Sequence, residues 1–147
     1  FNPGENLMDL SKVASGGEMS RVMLAIKTHV MANFKLSTMI FDEIDTGVSG
    51  KAAQKIGMKL QEVSRFRQVL CVTHLSQIAV MADQHLMIEK QLIENRTETQ
   101  VVPLEEEGRI YEIARIMGGE NPSALLLQTA KEELERWQNQ KAGNTAT

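Results

Sequence analysis

One cysteine, Cys71, is all the thiol chemistry the sequence offers, which excludes an internal disulfide. Its setting in the apolar run QVLCVTH predicts a small core residue rather than a nucleophile. No stretch approaches the ~20 apolar residues of a membrane span, and no charged-then-apolar leader opens the chain, so a cytosolic protein with no membrane partner is expected. A basic excess is also missing. With 16 Lys and Arg against 19 Asp and Glu and a net charge of -3, the chain by itself is no nucleic-acid clamp, and any DNA contact must come from elsewhere. There is no internal repeat, low-complexity tract or useful coiled-coil heptad run. An initiating Met is lacking too: the chain opens on Phe1 and closes on the small polar GNTAT, Gly143 to Thr147. Together these predict a piece of a longer protein, with residues 138–147 as a flexible tail.

What is present fits a globular core. Apolar residues make up 42% and charged residues 24%, ordinary values for a chain that folds. A single domain over residues 1–137 is expected, and a complete domain of this size buries roughly 68–70% of its unfolded surface.

The apolar pattern alternates between two periods. Helical spacing of Met19, Val22, Met23, Ile26, Val30 and Met31 predicts a helix from Ser15 through Phe34. STMIFDE then reads as a strand buried on both faces of a parallel sheet. SGKAAQKIGMKLQEVSRF follows as a helix with Ala52, Ile56, Leu60 and Val63 on one side, leading to a second buried strand, QVLCVTH. Strand, helix and strand in this order imply a parallel crossover. After a short helix at Leu75 to Ala82, HLMIEKQ and TETQVVPL flank LIENR as an antiparallel hairpin extending the sheet. Two helices close the chain: EGRIYEIARIMGG, then one capped by Asn121 with Pro122 at its first position, ending at Trp137. The fold class is therefore α/β, a mainly parallel sheet flanked by helices with a hairpin extension.

Three short motifs carry chemistry on this frame. Asp42 and Glu43 fall at the C-terminal end of the first strand, where open α/β sheets place their ligands. The first carboxylate there can hold Mg²⁺ and the second can take a proton from water; equally, two acids can simply terminate a strand at a turn. In VASGGEMSR, Ser15, Gly16, Gly17 and Glu18 precede a long helix. Paired glycines admit a ligand close to the backbone, and first-turn amides attract anions, while Ser15 and Glu18 also have capping-box spacing. His74 ends the second parallel strand in VTHLSQI, level with Asp42 and Glu43 if the strands are neighbours. His29 and His85 lack such companions and read as surface or packing residues.

Taken in order, an SGGE helix start, an apolar strand ending in Asp-Glu and a strand ending in Thr-His resemble the C-terminal lobe of an ABC-type P-loop ATPase head. DEID resembles the structural-maintenance-of-chromosomes (SMC) branch more than membrane transporters, whose typical run is DEPTSALD after an LSGGQ signature. The strings LSKVASGGEMSRVMLAIKT, IFDEIDTGVSGKAAQKIG and VLCVTHLSQIAVMAD are similar to a bacterial DNA repair member of that branch, from Leu10 to about Trp137. The resemblance implies an ATPase acting in DNA double-strand break repair and recombination, cytoplasmic and associated with the nucleoid, with ATP and Mg²⁺ as cofactors. It implies that Ser15, Gly16, Gly17 and Glu18 are the signature, whose serine and glycines touch the γ-phosphate of ATP held by the opposite head. By the same resemblance Asp42 is the Walker B metal carboxylate, Glu43 the catalytic base and His74 the switch that senses γ-phosphate. Implied partners are an N-terminal Walker A lobe of the same protein, a second head forming a homodimer, and DNA through the full-length protein. The isolated lobe is expected to be inactive.

Two look-alikes and one departure bear on that reading. DTGVSGKA resembles the tail of a Walker A loop, but Asp45 stands at its first glycine position and Ala52 at its hydroxyl position. MGGENPS repeats Gly-Gly-Glu but reads as a helix stop and restart. The D-loop after Walker B usually ends in Leu-Asp, and here Val48-Ser49 occupies that place, leaving Ser49 as a hydroxyl partner across the dimer. Other readings are a non-hydrolysing scaffold lobe, against which an intact Glu43 weighs, and a transporter's nucleotide-binding domain, against which Glu18 and Asp45 weigh.

Overall fold

A computed structural model of the chain describes residues 14–30, 38–93 and 96–145. Met31 and the expected run of the first helix to Phe34 lie outside them, as do Glu94, Asn95 and the residues before Ala14. The elements are α1 (Gly16–Val30), β1 (Thr38–Phe41), α2 (Gly50–Ser64), β2 (Gln68–Cys71), α3 (Ser76–Ala79), β3 (His85–Ile93), β4 (Arg96–Leu104), α4 (Glu106–Gly118) and α5 (Ala124–Thr145).

β1 and β2 pair in parallel, from Thr38 opposite Gln68 to Phe41 opposite Cys71, with α2 as the connection. Alternating side chains put Met39 and Phe41 into a core with Leu24, Ile44, Leu60, Val63 and Ile78. The expectation of burial on both faces is corrected here. Ile40 is 69% exposed and Leu70 42%, because no layer among the described residues covers that side of the sheet. α1 shows the same imbalance: Leu24 enters the core, while Val22, Met23 and Ile26 of the expected apolar stripe lie exposed.

α2 is turned slightly from the expected face, burying Ala53, Gly57, Leu60 and Val63, with Ile56 half-buried and Ala52 exposed. Gly57 is the reason: a Cβ there would lie 2.6 Å from Met81 Sδ and 3.5 Å from the Gln77 carbonyl oxygen, so the bare backbone lets the α3 segment nest against α2.

A second core holds Ala79, Val80, Ile113, Ala114, Ala130 and Leu134, joining the α3 region to α4 and α5. Gly119 ends α4 at φ 95, a conformation that favours glycine, and donates its N–H to the Arg115 carbonyl at 2.8 Å. α5 does not begin at Pro122. Ser123 caps it, with its hydroxyl accepting the Leu126 N–H at 3.3 Å and its carbonyl accepting the Leu127 N–H at 3.0 Å. The helix end expected at Trp137 also lies further on, at Thr145, and Lys141 within this stretch contacts Asp83.

β3 and β4 form an antiparallel hairpin from His85 opposite Leu104 to Ile93 opposite Arg96. It is its own two-stranded sheet, with no hydrogen-bonded link to β2. Leu86, Ile88, Leu92 and Val101 are exposed on it.

The second core gives a direct test. Leu134, 2% exposed, should lose about 2–5 kcal/mol on truncation to Ala, read from the denaturation midpoint at unchanged slope. Leu125→Ala, at a site 75% exposed, should change stability by less than about 0.5 kcal/mol. Equal losses at both positions would contradict this placement of α5.

Candidate functional site

The site is built on the turn that leaves β1. Asp42 and Glu43 are both exposed, and Asp42 Oδ1 accepts the Glu43 N–H at 2.9 Å. Glu43 has φ 57, a left-handed conformation that side chains disfavour, and the chain reverses through it. Its carbonyl accepts the Thr46 N–H at 3.0 Å, closing the turn. Gly47, at φ 72, follows, and Ser49 starts α2 through its carbonyl, which accepts the Ala52 N–H at 3.1 Å. The Ser49 side chain makes no capping hydrogen bond and is exposed.

α1 docks on this turn by its first residues. Ser15 and Glu18 form the reciprocal capping box: the Ser15 N–H and hydroxyl both donate to Glu18 Oε2, at 2.9 and 3.0 Å, and the Glu18 N–H donates to Ser15 Oγ at 3.3 Å. The backbone amide of Ser15, then its hydroxyl, hold the Glu18 carboxyl below its ordinary pKa. Gly17 is buried, and a Cβ on it would lie 2.7 Å from the Glu43 carbonyl oxygen and 3.0 Å from Thr46 Cβ. A Cβ on Gly16 would run into the Glu43 carboxylate. One turn on, Ser20 donates to the Asp42 carbonyl at 2.9 Å, and Arg21 Nη1 donates to the carbonyls of Ile44 at 3.1 Å and Thr46 at 2.8 Å.

β2 brings the remaining residues alongside. The Val72 N–H donates to the Phe41 carbonyl at 2.9 Å, so the two strands leave the sheet together. Asp45 turns inward, 2% exposed, and its Oδ2 accepts the Thr73 hydroxyl at 2.6 Å and the His74 N–H at 2.9 Å. The same oxygen lies 3.1 Å from His74 Nδ1, on a ring whose side chain is 72% exposed. Cys71 sits just behind: burial, then the charges of Asp45 and Asp42, push its thiol up to about 12, so it stays protonated and unreactive near neutral pH.

The structure thus gathers Gly16, Gly17, Asp42, Glu43 and His74 around one turn, while Ser49 lies further along the same loop and Ser15 and Glu18 bond to each other. Among the described residues no three His, Cys, Asp or Glu side chains group as a metal site. Asp42 fits Mg²⁺ in another way, since that ion commonly takes one or two carboxylates and completes its shell with phosphate and water. Of the other histidines, His29 Nδ1 lies 2.9 Å from the Ala25 carbonyl on α1, and His85 is half-buried with its Nδ1 lacking a partner among the described residues. Burial, then the neighbouring Arg109 charge, lower the His85 pKa.

Sequence reasoning missed Ser20, Arg21, Thr73 and the structural part of Asp45. The signal was available for one of them: a third acid two residues past Asp42-Glu43 has to point somewhere, and a Thr-His ending the next strand offers it donors.

No family model matches the sequence. The mixed helix and strand fold is similar to that of a structure solved for the SMC class. A solved structure described as "Structural biochemistry of ATP-driven dimerization and DNA stimulated activation of SMC ATPases" superimposes with a TM-score of 0.52 at 19% identity, covering 80% of this chain and 70% of that one. By sequence the chain is RecN-like. It is 51% identical over 135 residues to the DNA repair protein RecN of Bacillus subtilis (strain 168), covering 92% of this chain and 23% of that protein. To RecN of Treponema pallidum (strain Nichols) it is 42% identical over 142 residues, 97% of this chain and 25% of that protein. The chain spans about a quarter of the length of the curated relatives it matches, corresponding to their C-terminal part. Among the described residues no helix is long and apolar enough to cross a membrane.

The glycine pair makes a prediction independent of any ligand. Gly17→Ala should destabilise the protein by about 1–3 kcal/mol, because the helix start must back away from the Glu43 carbonyl. Gly143→Ala, in open space on α5, should instead stabilise by roughly 0.5–1 kcal/mol. Thermal and denaturant unfolding of the two variants should therefore move in opposite directions.

Proposed function

We propose that this chain is the C-terminal half of an ATP-hydrolysing head of a RecN-like protein, acting with its full-length partners in repair of DNA double-strand breaks and in recombination. The observation that carries the reading is the turn at Asp42 and Glu43, with His74 at the end of the adjacent parallel strand and the Gly16-Gly17 helix start seated on it. Relatives named for DNA repair, and a structural neighbour whose description speaks of ATP-driven dimerization, support it.

In this reading ATP lies between two heads, and Ser15, Gly16 and Gly17 face the γ-phosphate of nucleotide held by the other. Helix geometry leaves the first-turn amides without intrahelical acceptors, so they can meet an anion. Asp42 keeps one carboxylate oxygen clear of its bond to the Glu43 amide and would hold Mg²⁺, whose charge offsets that on the phosphoryl oxygens. Glu43 is the base that takes a proton from attacking water. His74 senses γ-phosphate, and Ser49 offers a hydroxyl across the dimer. The Walker A lobe belongs to another part of the longer protein. A cleft of about 770 Å³ between β2 and β3, together with exposed Ile40, Leu70 and Val72, supports further protein covering this side. The protein is placed in the cytoplasm, with DNA contacted through the full-length molecule.

Glu43→Gln in the full-length protein should lower turnover roughly 10²–10⁴-fold and leave ATP binding intact. Turnover at the parental rate would remove Glu43 from the chemistry.

The capping box favours a second reading of Ser15, as a helix start and nothing more. Ser15→Asp separates the two: it still accepts the Glu18 N–H but, like Ser15→Ala, loses the hydroxyl that donates to the Glu18 carboxylate, and either change costs about 1 kcal/mol of stability. Under the signature reading, Ser15→Asp places a negative charge where phosphate arrives. It should abolish ATP-driven head association and hydrolysis while nucleotide binding holds and the melting temperature falls by about as much as in Ser15→Ala, which keeps association. Normal association in a well-folded Ser15→Asp protein would leave Ser15 as a cap alone.

A further inference from the structure

Burying a carboxylate is costly unless hydrogen bonds compensate it, and Asp45 is the one acid of the DEID turn that is buried. Its Oδ2 meets Thr73 and His74 in three close contacts, two of them hydrogen bonds and the third an ion-pair distance of 3.1 Å to His74 Nδ1. Two of these, from the Thr73 hydroxyl and the His74 amide, staple the turn after β1 to the end of β2. A neutral amide or hydroxyl could accept both. The third contact differs: it reaches the imidazole of a side chain that is otherwise 72% exposed and has no packing to fix its direction.

We propose that Asp45 is the positioning residue of His74. An ionised carboxylate only accepts, so the Nδ1 that faces it carries the proton, and the ring is held with Nε2 turned outward. A ring carrying both protons donates through Nε2 to an arriving phosphate oxygen, with Asp45 as its counter-ion. The anchor is itself fixed, because Arg21 of α1 holds the carbonyls on either side of Asp45, those of Ile44 and Thr46. Asp45 therefore sets the direction of His74 relative to the helix that begins with Gly16 and Gly17. The assignment rests on the proposed reading of His74 as the γ-phosphate sensor.

The test is a double-substitution cycle on ATP turnover by the full-length protein. Asp45→Asn keeps an oxygen for Thr73 and the His74 amide but removes the charge opposite Nδ1. It should lower kcat roughly 10–100-fold, the usual loss when a histidine's orienting partner is removed. His74→Ala should lower kcat at least as far, and adding Asp45→Asn to it should change little, since the partner it acts through is gone. Equal losses from Asp45→Asn with and without His74 would overturn the proposal while leaving His74 as the sensor. Parental turnover by His74→Ala would sink the sensor reading itself, and this proposal with it. A second measurement does not depend on Asp45→Asn folding: ¹⁵N-histidine spectra of the parental full-length protein, with His74 assigned by its loss in His74→Ala. A protonated Nδ1 is expected, and an unprotonated Nδ1 overturns the assignment whatever Asp45→Asn does.

Discussion

The distance at which α1 meets the turn after β1 fixes the geometry of everything else at the site. It is set by missing atoms: Gly17 has no Cβ to hold off the Glu43 carbonyl, and Gly16 none to hold off its carboxylate. Only at that distance can Ser20 reach the Asp42 carbonyl and Arg21 those of Ile44 and Thr46. The glycines of the SGG motif therefore have a structural duty within their own chain, besides any they perform toward a nucleotide. Loss of activity on substituting them cannot by itself distinguish the two.

The distribution of apolar surface follows from the same arrangement. Leu24, Met39, Phe41 and Ile44 close one side of the β1–β2 sheet, leaving Ile40, Leu70 and Val72 open on the other, with Val22, Met23 and Ile26 also open on α1. A two-stranded sheet covered on one face is a marginal unit alone. α4 and α5 compensate by building a second core around Ile113 and Leu134, reached through Ala79 and Val80. Relatives about four times as long as this chain have ample sequence to cover the open face.

Much of this was legible in the sequence because local patterns and fold agree. The parallel crossover followed from two short apolar runs around an amphipathic helix, and the capping box from Ser15 and Glu18 three residues apart. Legibility failed where a tertiary contact overrode a local rule. Ala52 and Ile56 have helical spacing, yet Gly57, an unpromising residue for a buried face, is what α3 packs against. Asn121-Pro122 has the form of a helix start, but Ser123 supplies the cap. The uncovered strand face was hidden for another reason: a strand carries the same apolar residues whether or not a second layer is present to cover them. The structural part of Asp45 was only half legible: the Thr-His ending the next strand offers donors, but a sequence does not say which of three neighbouring acids turns inward to take them.

That division among Asp42, Glu43 and Asp45 depends on the backbone at Glu43. A regular strand would alternate the side chains across the sheet and leave Glu43 and Asp45, two residues apart, on one face and Asp42 on the other. The left-handed conformation at Glu43 breaks the alternation, so that Asp42 and Glu43 stay in solvent while Asp45 is carried under β2. Such a conformation costs about 1–3 kcal/mol in a residue other than glycine. The bonds from Glu43 N to Asp42, from Thr46 N to Glu43 and from Ser20 and Arg21 to the surrounding carbonyls, at about 0.5–1.5 kcal/mol each, are enough to offset it. Since Ser20 and Arg21 belong to α1, docking of that helix adds to what the turn's own two bonds supply. The exposed pair of carboxylates and the buried one are then held in place by the turn and by α1 together.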